Sequence, residues 1–195
     1  SWRQGGLSKL SENRRQLESK ISAAPAEVRG ELMMKLALLY FANNFGQETL
    51  GVLRLIEQDN PAMSRNPNFI SLRGAAGALA GHYQEAIADL SNPLIQKHRE
   101  VSLWIGFAAA ATEQWRMAAR SFPKDNRLLI EYPDSIAIPF TVYMAESALR
   151  LGRTDTANML LDSLIGMSDE SDAHYKAAIS YLKGEALRQE GRTEE

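Results

Sequence analysis

Apolar residues fall three and four positions apart along most of the chain, and short clusters of Gly, Asn, Asp and Pro separate the runs. That spacing lays one apolar stripe along an α-helix, so it predicts an all-α protein. Leu7, Leu10, Leu17 and Ile21 stripe a helix over 7–22 that Pro25 follows. Leu32, Leu36, Leu39 and Ala42 stripe a second over 26–43, which Asn43-Asn44-Phe45-Gly46 ends with turn chemistry; its partner spans 48–58 and stops at Asp59-Asn60-Pro61. Further helices are expected over 69–80, 83–90, 100–112, 115–122, 136–151, 154–165 and 172–189. The segment 100–112 is apolar on every side, which predicts a helix with neighbours on both flanks.

The pattern also repeats. Shifted by 32 positions, Gly74 falls on Gly106, Gly77 on Ala109, Ala78 on Ala110, Tyr83 on Trp115, Ala86 on Ala118 and Leu90 on Phe122. Each copy is a helix rich in small residues, a turn, and a second helix that opens on an aromatic and carries alanine three positions later. Periods of ~20–50 residues mark stacked repeats. Gly74, Gly81, Tyr83 and Ala86 resemble the tetratricopeptide repeat, a helix–turn–helix unit of about 34 residues; Gly106, Trp115 and Ala118 match it too, with Glu113 at the turn-glycine position. The resemblance implies a right-handed superhelical solenoid of antiparallel helix pairs. In it, glycine or alanine lets two backbones cross closely and the aromatic fills the space beside them.

In that frame 1–25 is the leading helix of a preceding repeat, 26–62 a degenerate repeat, 63–98 and 99–135 the two clearest, 136–168 another, and 169–195 a trailing first helix. In 26–62, Glu48 is read at the aromatic position and Gly51 at the alanine position. In 136–168, Ala145 and Ala148 supply the close crossing, Gly152 the turn and Ala157 the second-helix contact, with Thr154 for the aromatic; Gly184 and Gly191 play the first two parts in the trailing helix. The alanine spacing grows from 32 (Ala86 to Ala118) to 39 (Ala118 to Ala157), which reads as an insertion over 123–135 whose Leu128, Leu129 and Ile130 fold back over the stack. The chain opens on Ser1 without methionine or a signal-like stretch, as expected of an excised segment.

Composition narrows the function. With Lys+Arg 22 against Asp+Glu 24, the net charge of −2 offers no general attraction for nucleic acid or an anionic membrane, and no apolar run nears the ~18–20 residues of a membrane span. The absence of cysteine removes disulfides, thiolate metal sites and thiol catalysis, and suits a cytoplasmic or a bacterial periplasmic setting alike. His82, His98 and His174 lie apart in turns or helix starts and read as solvated histidines; Asp169, Glu170 and Asp172 suit a helix entrance. No phosphate loop or nucleophile elbow occurs. The expectation is a protein that is not an enzyme and has no metal or other cofactor.

Binding is what the resemblance implies, since first helices line the concave face of such a superhelix. The inward stripes are read as Leu36, Tyr40 and Asn43; Ser71, Ala75 and Ala78; Leu103, Phe107 and Ala110; Val142, Tyr143, Glu146 and Arg150; and Tyr181, Glu185 and Arg188. Aromatic anchors in a groove suit a peptide or partner protein, and the partner-binding residues are Tyr40, Asn43, Leu103, Phe107, Tyr143, Glu146, Arg150 and Tyr181. The lysines and asparagines with which some tetratricopeptide proteins clamp a C-terminal carboxylate are absent from Ser71, Ala75, Leu103 and Phe107. Two other readings are an accessory solenoid of a larger bacterial envelope enzyme and a homo-oligomer joined through its terminal helices.

Overall fold

The structure, a computed structural model, describes residues 6–98, 100–123, 126–165 and 173–191. Among the described residues it is all-helical, with α1 (Gly6–Ala23), α2 (Ala26–Ala42), α3 (Gly46–Asp59), α4 (Pro67–Leu79), α5 (Tyr83–Leu90), α6 (Val101–Ala111), α7 (Trp115–Ser121), α8 (Asp134–Arg150), α9 (Thr154–Ile165) and α10 (Ala173–Gln189). Short 3₁₀ turns occupy Pro61–Arg65 and Asn126–Glu131. Each helix packs on the next in sequence, and α4, α6, α8 and α10 also touch in that order, so α6 has neighbours on several sides and is buried almost throughout.

One turn recurs four times. Asn44, Gly81, Glu113 and Gly152 adopt positive φ (65°, 82°, 59° and 69°). The amide that follows each reaches back to close the preceding helix: Phe45 to the Tyr40 carbonyl, His82 to Gly77, Gln114 to Ala109 and Arg153 to Ala148, all at 2.8–3.0 Å. This satisfies carbonyls that a helix end leaves orphaned. Gly191 shares the conformation at φ 76°. Measured from these turns, the position seven residues earlier is Ala37, Gly74, Gly106 or Ala145, and the position five residues later is Thr49, Ala86, Ala118 or Ala157; all eight are buried. A Cβ on Gly74 would stand 2.7 Å from Leu90 Cγ, and one on Gly106 would stand 2.6 Å from Phe122 Cδ1. Small side chains at those sites are therefore what lets the paired helices cross.

The turns correct the register of the first unit. Thr49, not Gly51, holds the alanine position, where its hydroxyl donates to the Phe45 carbonyl at 2.7 Å. Gly46, not Glu48, holds the aromatic position, because the backbone of α4 already lies there: a Gly46 Cβ would meet Ala80 N at 2.8 Å and Ala76 O at 2.9 Å. Neither Gly51 nor Gly184 has a neighbour within 4 Å of a Cβ, so these two glycines serve no close crossing. The turn residues recur at intervals of 37, 32 and 39, and 39 again to Gly191, which makes 32 the short step rather than 39 the long one.

The segment read as an insertion folds back through Leu128 and Leu129 as expected, but not through Ile130. Leu129 is buried and Leu128 partly so, whereas Ile130 is 65% exposed. Tyr132 goes deepest: its ring lies 6.0 Å from Trp104, and its hydroxyl accepts from the Trp104 indole at 3.1 Å and donates to Glu100 at 2.5 Å. Burial and the adjacent carboxylate push the Tyr132 phenol far above its ordinary pKa. Trp104 also meets Phe41, Phe107 and Phe140 at 4.7–5.8 Å, so four rings surround it. Farther out, Arg73 ties α3, α4 and α5 together, gripping Asp89 with two nitrogens at 2.7 and 2.8 Å and Glu57 at 3.1 Å.

Candidate functional site

The turn register also places the first-helix face that the sequence reading assigned to binding. Ten and six residues before each turn stand Met34 and Leu38 on α2, Ser71 and Ala75 on α4, Leu103 and Phe107 on α6, Val142 and Glu146 on α8, and Tyr181 and Glu185 on α10. For α4, α6, α8 and α10 these residues belong to the expected stripe. On α2 they do not. Tyr40 stands where the other units have Gly77, Ala109 and Ala148, and its ring packs edge-on to Phe45 at 6.5 Å. Asn43 spends its side-chain amide on the Leu39 carbonyl at 2.8 Å, which fastens its own helix end.

The middle of the stripe is filled from within. Leu103 has no exposed surface and Phe107 is buried, so neither offers an anchor to a partner. The cause is tertiary: Phe140 lies 4.6 Å from Phe107 and Tyr143 lies 5.1 Å from it, both reaching across from α8. Two accessible regions remain on either side.

Toward α2 there is a cleft of about 430 Å³ between α2, α4 and α6, floored by Phe41, Leu72, Ala75 and Trp104. Its rim carries Leu38, 40% exposed, with His98 and Glu100. Its volume and apolar lining fall in the range of ligand and side-chain pockets. Met34, Leu38, His98 and Glu100 line this cleft but lie outside the stripe expected from the sequence; counting back from Asn44, the positive-φ residue of the first turn, reaches the first two. His98 is exposed and His82 part-buried, while the side chain of His174 and the group Asp169, Glu170 and Asp172 lie outside the described residues.

Toward α10 the surface is polar with aromatic spots. Tyr143 is part-buried, and desolvation first, with the neighbouring Tyr83 and Glu146, raises its phenol pKa. Arg150 donates to Glu146 at 3.0 Å and lies over the Trp115 ring at 5.3 Å, a cation–π arrangement. Tyr181 is 65% exposed on α10. One turn on, Arg188 binds both oxygens of Glu185 at 2.7 and 2.8 Å. That pair and the Gln189 amide hold the Glu185 carboxyl at about 2. Of the expected binding residues, Tyr143, Glu146, Arg150 and Tyr181 thus share one region.

No group of three His, Asp or Glu residues among the described residues is placed to hold a metal, and no helix among them is long and apolar enough to cross a membrane. No protein-family model, curated protein sequence or solved structure matches the chain.

Proposed function

We propose that this chain is a non-enzymatic helical-repeat module, of the kind the tetratricopeptide repeat represents, that binds a peptide or partner protein along the face of α2, α4, α6, α8 and α10. In this reading the helix pairs are antiparallel and stack into a right-handed superhelix with that face inside. The supporting observation is the fourfold turn with small residues at fixed distances on either side of it, since a repeated hairpin with repeated crossings builds a curved stack. An apolar cleft at one end and a Tyr, Glu and Arg surface at the other supply an anchor and a polar rim, the usual anatomy of a protein contact. Fold alone does not fix a partner.

Proximity labelling with the wild-type protein, Leu38→Glu and Tyr181→Ala tests it. Both side chains are exposed, so melting and helicity are expected to stay unchanged while the labelled partner is lost. A partner set that survives both changes refutes binding through this face.

A second reading, self-association through the terminal helices, is favoured by one feature of α10. Gly184 sits at the crossing position, yet among the described residues no atom of another element lies within 4 Å of where its Cβ would be, so the seat for a second helix is open there. Light scattering over a concentration series decides it, and a mass that stays monomeric at all concentrations rejects it.

A further inference from the structure

A second cleft, of about 510 Å³, lies away from the binding face, between α7, α8 and α9. Its two ends differ chemically. The α8–α9 turn brings Arg153 back onto the end of α8, its amide bonded to the Ala148 carbonyl at 2.9 Å, beside Ser147. Ser147, Arg153 and, on the first turn of α9, Thr156 all line the cleft at this end. One helical turn farther along both helices stand Met144 and Leu160, with Met159, while Ala119 of α7 and Phe122 just past its end close the side.

The polar end is unfinished. Ser147 is 1% exposed and its hydroxyl has no hydrogen-bond partner. A buried donor left unpaired is costly, and native structures rarely keep one without a use. No ion pair or hydrogen bond among the described residues engages the Arg153 guanidinium either. Two donors, one charged, thus stand at the turn end of an apolar slot. The walls include Met144 and Met159, flexible thioether chains that adapt to an aliphatic guest, and Met159 is 70% exposed.

We infer that this cleft binds an aliphatic monocarboxylate, the chemical class of a medium-chain fatty acid, with the carboxylate at Ser147 and Arg153 and the chain against Met144, Phe122, Met159 and Leu160. One carboxylate oxygen accepts from the Ser147 hydroxyl and the guanidinium takes the other, a charge-assisted contact. The site is independent of the partner-binding face.

Octanoate is the probe: the slot runs one helical turn, ~5.4 Å, from Ser147 to Met144, and the rest of the chain lies against Phe122 and Met159. The readouts are calorimetric titration and the methyl spectrum of ¹³C-methyl-methionine protein. Octanoate is expected to saturate one site and to shift Met144 and Met159 while leaving Met33, Met34 and Met63 in place. Octan-1-ol and the variant Arg153→Gln should each bind about ten-fold more weakly, ~1.4 kcal/mol. Ser147→Ala should also weaken binding, with no loss of melting temperature because its hydroxyl is unpaired. Because Arg153 is exposed and unpaired, its variant keeps the fold. The inference is overturned by no binding, by equal binding of octan-1-ol or of Arg153→Gln, or by shifts at Met34 in place of Met144 and Met159. An acetylated trileucine peptide with a free carboxylate that outcompetes octanoate also overturns the assignment to a fatty acid. A Met34 shift leaves the partner-binding proposal standing, so the two fail separately.

Discussion

Adding one methyl group at Gly46 tests how closely the first two units approach. An alanine Cβ there would stand 2.8 Å from Ala80 N, 2.9 Å from Ala76 O and 2.9 Å from Leu79 Cβ. Two of those atoms belong to backbone, one in α4 and one in the residue that ends it, and cannot rotate away, so α3 must shift from α4. Overpacking of this kind costs ~1–3 kcal/mol. Alanine's helix preference over glycine returns at most ~1 kcal/mol, and less at the first residue of a helix. The expected net loss for Gly46→Ala is therefore ~1–2 kcal/mol. Gly51 supplies the control on the same helix: no atom lies within 4 Å of its Cβ position, so Gly51→Ala should stabilise by ~0.5–1 kcal/mol. For a domain of this size ~1 kcal/mol moves the melting temperature by ~2–4 °C. Thermal melts and urea titrations of the two variants should move in opposite directions with the urea slope unchanged. A Gly46→Ala protein as stable as wild type, or a destabilised Gly51→Ala, refutes the close-crossing explanation of the turn register.

Tyr132→Phe keeps the ring in the aromatic cluster but strips the acceptor from the buried Trp104 indole; a loss of ~1–3 kcal/mol is expected in urea titration, with a changed tryptophan emission. Because the folded-state pKa of Tyr132 lies above its unfolded value, its stabilising contribution is complete below pH ~10 and declines above it. Alkaline melts should therefore fall more steeply for wild type than for Tyr132→Phe. Glu113→Gly relieves a non-glycine residue at φ 59° and should raise stability by ~0.5–1 kcal/mol, read as a higher melting temperature. The Glu185 carboxyl should titrate near 2 by carbon NMR and rise toward the ordinary range in Arg188→Gln or in high salt. Its contribution is present above the ordinary carboxylate range and disappears as pH drops through about 2.

By itself the sequence determined the helices and the two middle crossings. Helix periodicity and turn chemistry are local, so Tyr83–Leu90 and Thr154–Ile165 were legible to the residue, and Gly74 with Gly106 announced the tight approach because glycine there leaves nothing else to pack. Position relative to a turn was harder to read. Asn44 adopts the left-handed conformation that glycine takes elsewhere, so the sequence pattern hides the true turn, and Met34 and Leu38, two residues before Leu36 and Tyr40, hold the places that Ser71 and Ala75 hold on α4. Only tertiary structure decided which aromatics face outward. Leu103 and Phe107 occupy the same places relative to their turn as Tyr181 and Glu185 to theirs, but both are buried, Phe107 under Phe140 and Tyr143 of α8, while among the described residues the crossing seat at Gly184 on α10 stays open. A side chain's direction follows from its own helix, but its exposure depends on the residues that a separate helix brings to it.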